Sequence, residues 1–239
     1  MTSTASQIRS FIDLRQWAAG VTVAPAIGDA FLGARAALPL ADGPISAGLI
    51  LLPQGNGTVS ALPGEEFIIV EAGAVRIEQA GKRFTLTEGQ SLLLRDGATF
   101  DWSADADVRL VFMRRSGGPA GDGAIIPVDT GAPLEPSGAP LAELLVGPTP
   151  QCRNHGDYKS DDGEYMVGTW DSTPYYRRAM AYRHFELMYL LEGSVTFVDE
   201  AGEEGTFHKG DIFLVEQGAQ CSWDSQVHVK KVYCIYRPA

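Results

Sequence analysis

The residues best placed to do chemistry lie between positions 175 and 188. His184 stands two residues before Glu186, and on a regular strand side chains two apart share a face, so an imidazole and a carboxylate would point the same way. Such a pair can work as general acid and base, and Glu186 and His184 are the catalytic candidates. Just upstream, "PYYRRAMAYRHFE" gathers Tyr175, Tyr176, Arg177, Arg178, Tyr182 and Arg183 within nine positions. Arginine beside tyrosine can clamp a carboxylate or stack on a planar group, which suits a small anionic or ureido-type metabolite. The candidate ligand contacts are Tyr182, Arg183, Arg178 and Met188. The competing reading is that these arginines balance an acidic surface or sit in a dimer interface.

The other histidines carry less signal. His155 lies in the polar stretch "QCRNHGDYK", read as a solvated loop. His208 falls in a turn and His228 near a strand start, and both read as surface residues.

The elements that must position these groups come from an internal repeat. With a shift of 120, Asp42-Gly43 falls on Asp162-Gly163, Gly48 on Gly168, Glu66 on Glu186, Gly73 on Gly193 and Val75 on Val195. After one inserted residue the shift becomes 121, and Ala80-Gly81 falls on Ala201-Gly202, Thr85 on Thr206, Gly89 on Gly210, Gly97-Ala98 on Gly218-Ala219 and Trp102 on Trp223. Both copies consist of short apolar runs ended by glycine, such as "EEFIIVEAG" and "ELMYLLEG", which predict antiparallel strands in a sandwich or barrel. Helical periodicity is absent from residues 42–115 and 162–237. One helix is predicted near the start, over "SQIRSFIDLRQWAAG", with Ser6 as its cap. Between the copies, 14 of the 35 residues from Ser116 to Pro150 are Gly or Pro, which predicts a linker, with "AELLVG" as a candidate extra strand. The expected division is an N-terminal barrel with an extension over 1–115, a linker over 116–150 and a C-terminal barrel over 151–239.

The stretch Glu186–Trp223, "ELMYLLEGSVTFVDEAGEEGTFHKGDIFLVEQGAQCSW", resembles the two joined motifs of the cupin superfamily, in the branch of ureidoglycine aminohydrolase-like and ureidoglycolate-hydrolase-like proteins. The resemblance extends over most of both repeats. It implies an all-β fold of two tandem double-stranded β-helix (jelly-roll) barrels, a ligand site at a barrel mouth, and often a homodimer. Metal-dependent cupins hold a divalent transition metal with an H-x-H pair, a Glu seven before a Gly, and a last His in the second motif. Glu186 stands seven before Gly193 and matches that Glu, but the expected His positions hold Met180 and Tyr182, or Ala179 and Ala181. The last ligand position, eleven after Gly210, is Cys221, and the usual Pro is Glu216.

Two readings stay open. His184, Glu186 and Cys221 could form a three-ligand site favouring Zn or Fe(II), or His184 and Glu186 form a hydrogen-bonded pair beside a small buried thiol. In the first copy Gly64 and Phe100 replace His184 and Cys221, and no His precedes His155, so no metal is expected in the N-terminal barrel. That barrel is expected to be structural, with Glu66 able to meet a cationic or amide group.

The formal net charge of -11 disfavours nucleic acid and anionic membrane as partners. No apolar run reaches ~18 residues and no secretory signal is evident, so a cytoplasmic protein is expected. Cys152, Cys221 and Cys234 read as reduced thiols, with Cys234 in the core. The function expected is binding of a small polar metabolite in the C-terminal barrel, with hydrolysis of a ureido or amidine carbon as the implied reaction. The alternatives are a non-catalytic sensor and a metal-free isomerase in which His184 and Tyr182 transfer protons on opposite sides of a substrate.

Overall fold

The computed structural model describes residues 9–23, 26 and 28–239. The proposed cap Ser6 lies outside these residues, and among the described residues the predicted helix is the short helix Leu14–Ala19, preceded by the strand Ile12–Asp13. The fold is nearly all β. Two compact units form, one over Gln16–Val128 and one over Asp129–Ala239 that also takes the segment ending at Arg15.

Each unit is a jelly roll of two unclosed antiparallel sheets, of six and four strands in the first unit and seven and five in the second. The strands recur at the offsets legible in the sequence. Ile45–Leu52, Glu65–Ala72, Ser91–Leu94 and Val108–Arg115 correspond to Tyr165–Ser172, Phe185–Glu192, Ile212–Val215 and Val229–Tyr236. Apolar side chains from both sheets meet between them. In the second unit Met188, Leu190, Phe197, Phe207, Phe213, Val215, Trp223 and Val229 are buried in one cluster, each aliphatic or aromatic side chain contributing about 1.5–3 kcal/mol by leaving water. The turn at Gly193 requires glycine: its φ is 80°, and an added Cβ would lie 2.1 Å from the His228 carbonyl oxygen.

Two segments read as extension and linker complete the second unit. Ile12–Asp13 pairs with Ile212–Val215, Phe11 packs on Phe197 and Phe207, and Arg9 Nε donates to Glu216 at 3.1 Å. Glu135–Ser137 pairs with Cys152–Lys159 as the edge of the seven-stranded sheet, and Leu145–Val146 pairs with Tyr175–Ala181 at the edge of the five-stranded one. "AELLVG" thus does supply a strand, because pairing at a sheet edge satisfies backbone groups that its Gly/Pro-rich surroundings leave open.

Candidate functional site

A cavity of about 660 Å³ opens at one end of the second unit. Its walls come from four sources. Tyr233, Lys231, Ile235 and Arg237 alternate along the last strand and its end, Tyr182, His184 and Glu186 alternate along the chain entering Phe185–Glu192, and Ser137–Leu141 with Leu144 form the outer side. Trp170, Tyr175 and Trp223 add an aromatic wall, Tyr175 stacked on Trp223 at 5.7 Å and Trp170 edge-on to it at 5.8 Å.

Glu186 is buried and fully engaged. Its Oε1 accepts from Lys231 Nζ at 2.8 Å, and its Oε2 lies 3.2 Å from His184 Nε2. Burial alone would push this carboxyl up, but the Lys231 charge and then His184 outweigh burial and hold it well below the usual carboxylate range. The Lys231 ammonium also contacts Met188 Sδ at 3.2 Å and lies 4.9 Å from the centres of both the Trp170 and Trp223 rings. Because an ionised carboxylate only accepts, the His184 Nε2–H donates to it, and in the neutral ring Nδ1 is the nitrogen left to accept.

Next to His184 on the same run, Tyr182 Oη accepts from Arg177 Nη2 at 3.1 Å, and the Tyr182 and His184 rings are 5.3 Å apart. Burial raises the Tyr182 phenol far above its ordinary value, so it stays protonated at neutral pH.

These placements divide the sequence candidates. Tyr182, His184 and Glu186 converge on the cavity. Arg178 and Arg183 do not: both are exposed, and Arg178 donates to the Glu143 carbonyl. The reason is a bulge in Tyr175–Ala181, where Arg177 faces Trp223 but Met180 faces Cys221. One extra residue flips the alternation, turning Arg177 inward and Arg178 outward. Met188 is in the core, touching the cavity only through Lys231. His155 belongs to the strand Cys152–Lys159 rather than to a loop, because it pairs with Thr169 of Tyr165–Ser172. Exposed His208 ends a strand, and His228 is exposed beside Asp171.

Sequence reasoning missed Lys231, and it placed Arg177 in the arginine–tyrosine cluster without choosing it among the ligand contacts. A period of two running through Lys231, Tyr233 and Ile235 was the available signal for the first.

The residues do not fit the metal that cupin chemistry implies. Among the described residues no three His, Cys, Asp or Glu side chains are grouped to hold a metal ion. Cys221 is fully buried, its thiol pushed up to about 12 by burial, so it packs as a small neutral group. The Lys231 ammonium already occupies the carboxylate that would serve as ligand. In the first unit Glu66 is engaged in the same sense, accepting from Arg35 at 2.7 and 2.9 Å and from Arg114 at 2.7 Å. All three cysteines are buried and outside any disulfide, Cys234 in the core as expected.

Tandem jelly rolls with an open-mouthed site define the cupin fold, and comparison with known proteins agrees. Residues 159–233 match the family model of the EutQ-like cupin domain. A crystal structure from Pseudomonas syringae pv. tomato, of a protein of unknown function in the DUF861 family, is 29% identical over 90% of this chain and 93% of its own, with a TM-score of 0.82. The DUF861 protein Ylba from E. coli shares 16% identity over 100% of this chain and 96% of its own, with a TM-score of 0.59. Streptomyces albus HEPD, solved with 2-hydroxyethylphosphonate and Fe(II), shares the fold at 10% identity, over 100% of this chain and 78% of its own, with a TM-score of 0.55. No curated protein matches the sequence. Among the described residues no helix is long and apolar enough to cross a membrane.

Proposed function

We propose that the C-terminal barrel binds a small polar metabolite and moves a proton on it without a metal, with His184 as base and Tyr182 as acid. The observation that carries this reading is the engagement of Glu186 by Lys231 on one oxygen and His184 on the other. A carboxylate so held is a fixed anion that orients the imidazole and stabilises its protonated form, the role of a positioning residue. A substrate C–H or O–H proton passes to His184 Nδ1, while the Tyr182 hydroxyl gives its proton to the opposite side. The resulting phenolate keeps its hydrogen bond from Arg177, the isomer leaves, and the enzyme is reset when His184 gives its proton to solvent and Tyr182 takes one from it. The pairing of a base with an acid supports the isomerase alternative, and hydrolysis of a ureido or amidine carbon is a separate outcome of the test.

The test is proton NMR in D2O with chelator-treated protein and a panel of small α-oxo and α-hydroxy compounds, charged and neutral, followed for uptake of solvent deuterium. Exchange is expected to fall about 10²–10⁴-fold in His184→Gln and in Tyr182→Phe. Exchange that needs an added metal, or that survives His184→Gln, overturns the mechanism. Release of ammonia from a ureido acid returns the reading to hydrolysis. Ligand binding with no exchange on any compound makes the barrel a non-catalytic sensor.

A further inference from the structure

Three Lys or Arg side chains are buried in the described residues, and they differ in one respect. Lys231 has Glu186 at 2.8 Å and Arg115 has Glu65 at 3.9 Å, whereas Arg177 has no carboxylate within ion-pair reach among the described residues. Arg177 is 7% exposed and lines the cavity. Its Nη2 donates to two neutral acceptors, Tyr182 Oη and the Cys221 carbonyl, each at 3.1 Å, and its Nε is buried with no hydrogen-bond partner. A charge taken out of water without a counter-ion is costly, and folds retain one where a ligand supplies the missing charge.

The cavity as a whole has the same polarity. Arg177, Lys231 and Arg237 line it against Glu186 alone, in a chain whose net charge is -11. Tyr175 stacked on Trp223 offers flat apolar surface beside these cations, and the Arg177 guanidinium itself lies 5.1 Å from the centre of the Tyr182 ring.

We infer that the ligand of this barrel is a small planar carboxylate whose anionic end is received by Arg177, an inference that rests on the barrel mouth being a ligand site. A guanidinium has five N–H donors in one plane, and a carboxylate offers two coplanar acceptors, so the groups left over by Tyr182 and Cys221 have the geometry to hold it. Held there, the carbon next to the carboxylate lies beside the Tyr182 hydroxyl, which Arg177 also touches. Arg177 therefore selects the substrate and aligns the acid in one contact.

The experiment titrates the full chain with benzoate and with benzamide, its neutral counterpart of the same shape. The readout is the indole N–H signals of Trp170 and Trp223, with Trp17 and Trp102 as internal controls. Benzoate is expected to shift the two cavity indoles with at least ten times the affinity of benzamide. Arg177→Met is expected to bring benzoate and benzamide to equal affinity, and Arg177→Lys to restore part of the preference. Should Arg177→Met fail to fold, the wild-type preference and the Arg177→Lys variant decide. Equal affinity for the two probes, or a preference that persists in Arg177→Met, overturns the carboxylate assignment while the site stands. If neither probe shifts the cavity indoles, the barrel mouth is no ligand site, and the reading beneath the inference fails with it.

Discussion

Replacing Lys231 with Met keeps a long unbranched side chain in the cavity wall and removes the charge on Glu186. The carboxyl then stays buried without its cation, and it avoids the penalty by remaining protonated in the folded state. Keeping a carboxyl with an ordinary value of 4.5 protonated costs about 1.4 kcal/mol per pH unit above that value, so roughly 3–4 kcal/mol near pH 7 and under about 1 kcal/mol at pH 5. In the wild type the shift has the opposite sign. The depressed carboxyl contributes stability above pH 4.5 that is lost as pH falls towards its folded value. The gap between the two proteins therefore widens with rising pH. From pH 5 to pH 7 the gap is expected to grow by roughly 3 kcal/mol, so at roughly 2–4 °C per kcal/mol thermal unfolding of Lys231→Met falls a further 5–10 °C or so below wild type across that range. Melts followed by tryptophan fluorescence at half-unit pH steps measure this. The double variant Lys231→Met/Glu186→Gln should lose the pH dependence of the gap. A gap of equal size at pH 5 and pH 7 would refute the account of Glu186 as an anion held by Lys231.

Elemental analysis of protein grown with supplemented Zn, Fe, Mn and Ni is expected to return far less than one equivalent of any, and chelator is expected to leave the melting temperature unchanged. The Cys221 thiol, buried and pushed up to about 12, should react with an aromatic disulfide at pH 8 only as fast as the unit opens, and Cys221→Ser should lose about 1–3 kcal/mol of stability in denaturant titrations. In the first unit, Glu66→Gln should lower stability by about 3–5 kcal/mol, because Arg35 and Arg114 lose their shared anion, yet leave ligand affinity of the C-terminal barrel unchanged. Gly193→Ala should destabilise by more than about 1 kcal/mol, with a backbone at φ 80° and a carbonyl in the path of the new methyl.

The repeat was legible to the residue, because glycines and apolar alternation are dictated locally by turns and pleats. Glu65–Ala72 and Phe185–Glu192 show it, spanning equivalent positions at the shift of 120 found from sequence. The pairing of His184 with Glu186 was legible for the same reason, since period two survives there. Arg177 was not, because the extra residue between it and Met180 reverses the phase, and a bulge leaves no mark in the composition of "YYRRAMAY". Lys231 was hidden by its twin: the equivalent position in the first copy is Leu110, a core residue, so the repeat itself argued for an apolar side chain. The metal reading rested on residue identity alone, and a neighbouring ammonium decided against it.

The stretch Gly138–Leu144 is held at both ends by short strands and passes along the cavity between them, with Leu141 facing both the cavity and solvent. Its backbone is a span between two moorings, so its side chains answer to no pleat or core and can be exchanged without disturbing either sheet. Variation in ligand choice among related barrels should concentrate there, in the tract whose composition reads as a spacer. A fragment starting at residue 151 would keep the strands that carry His184, Glu186 and Lys231 and lose the wall that decides what reaches them.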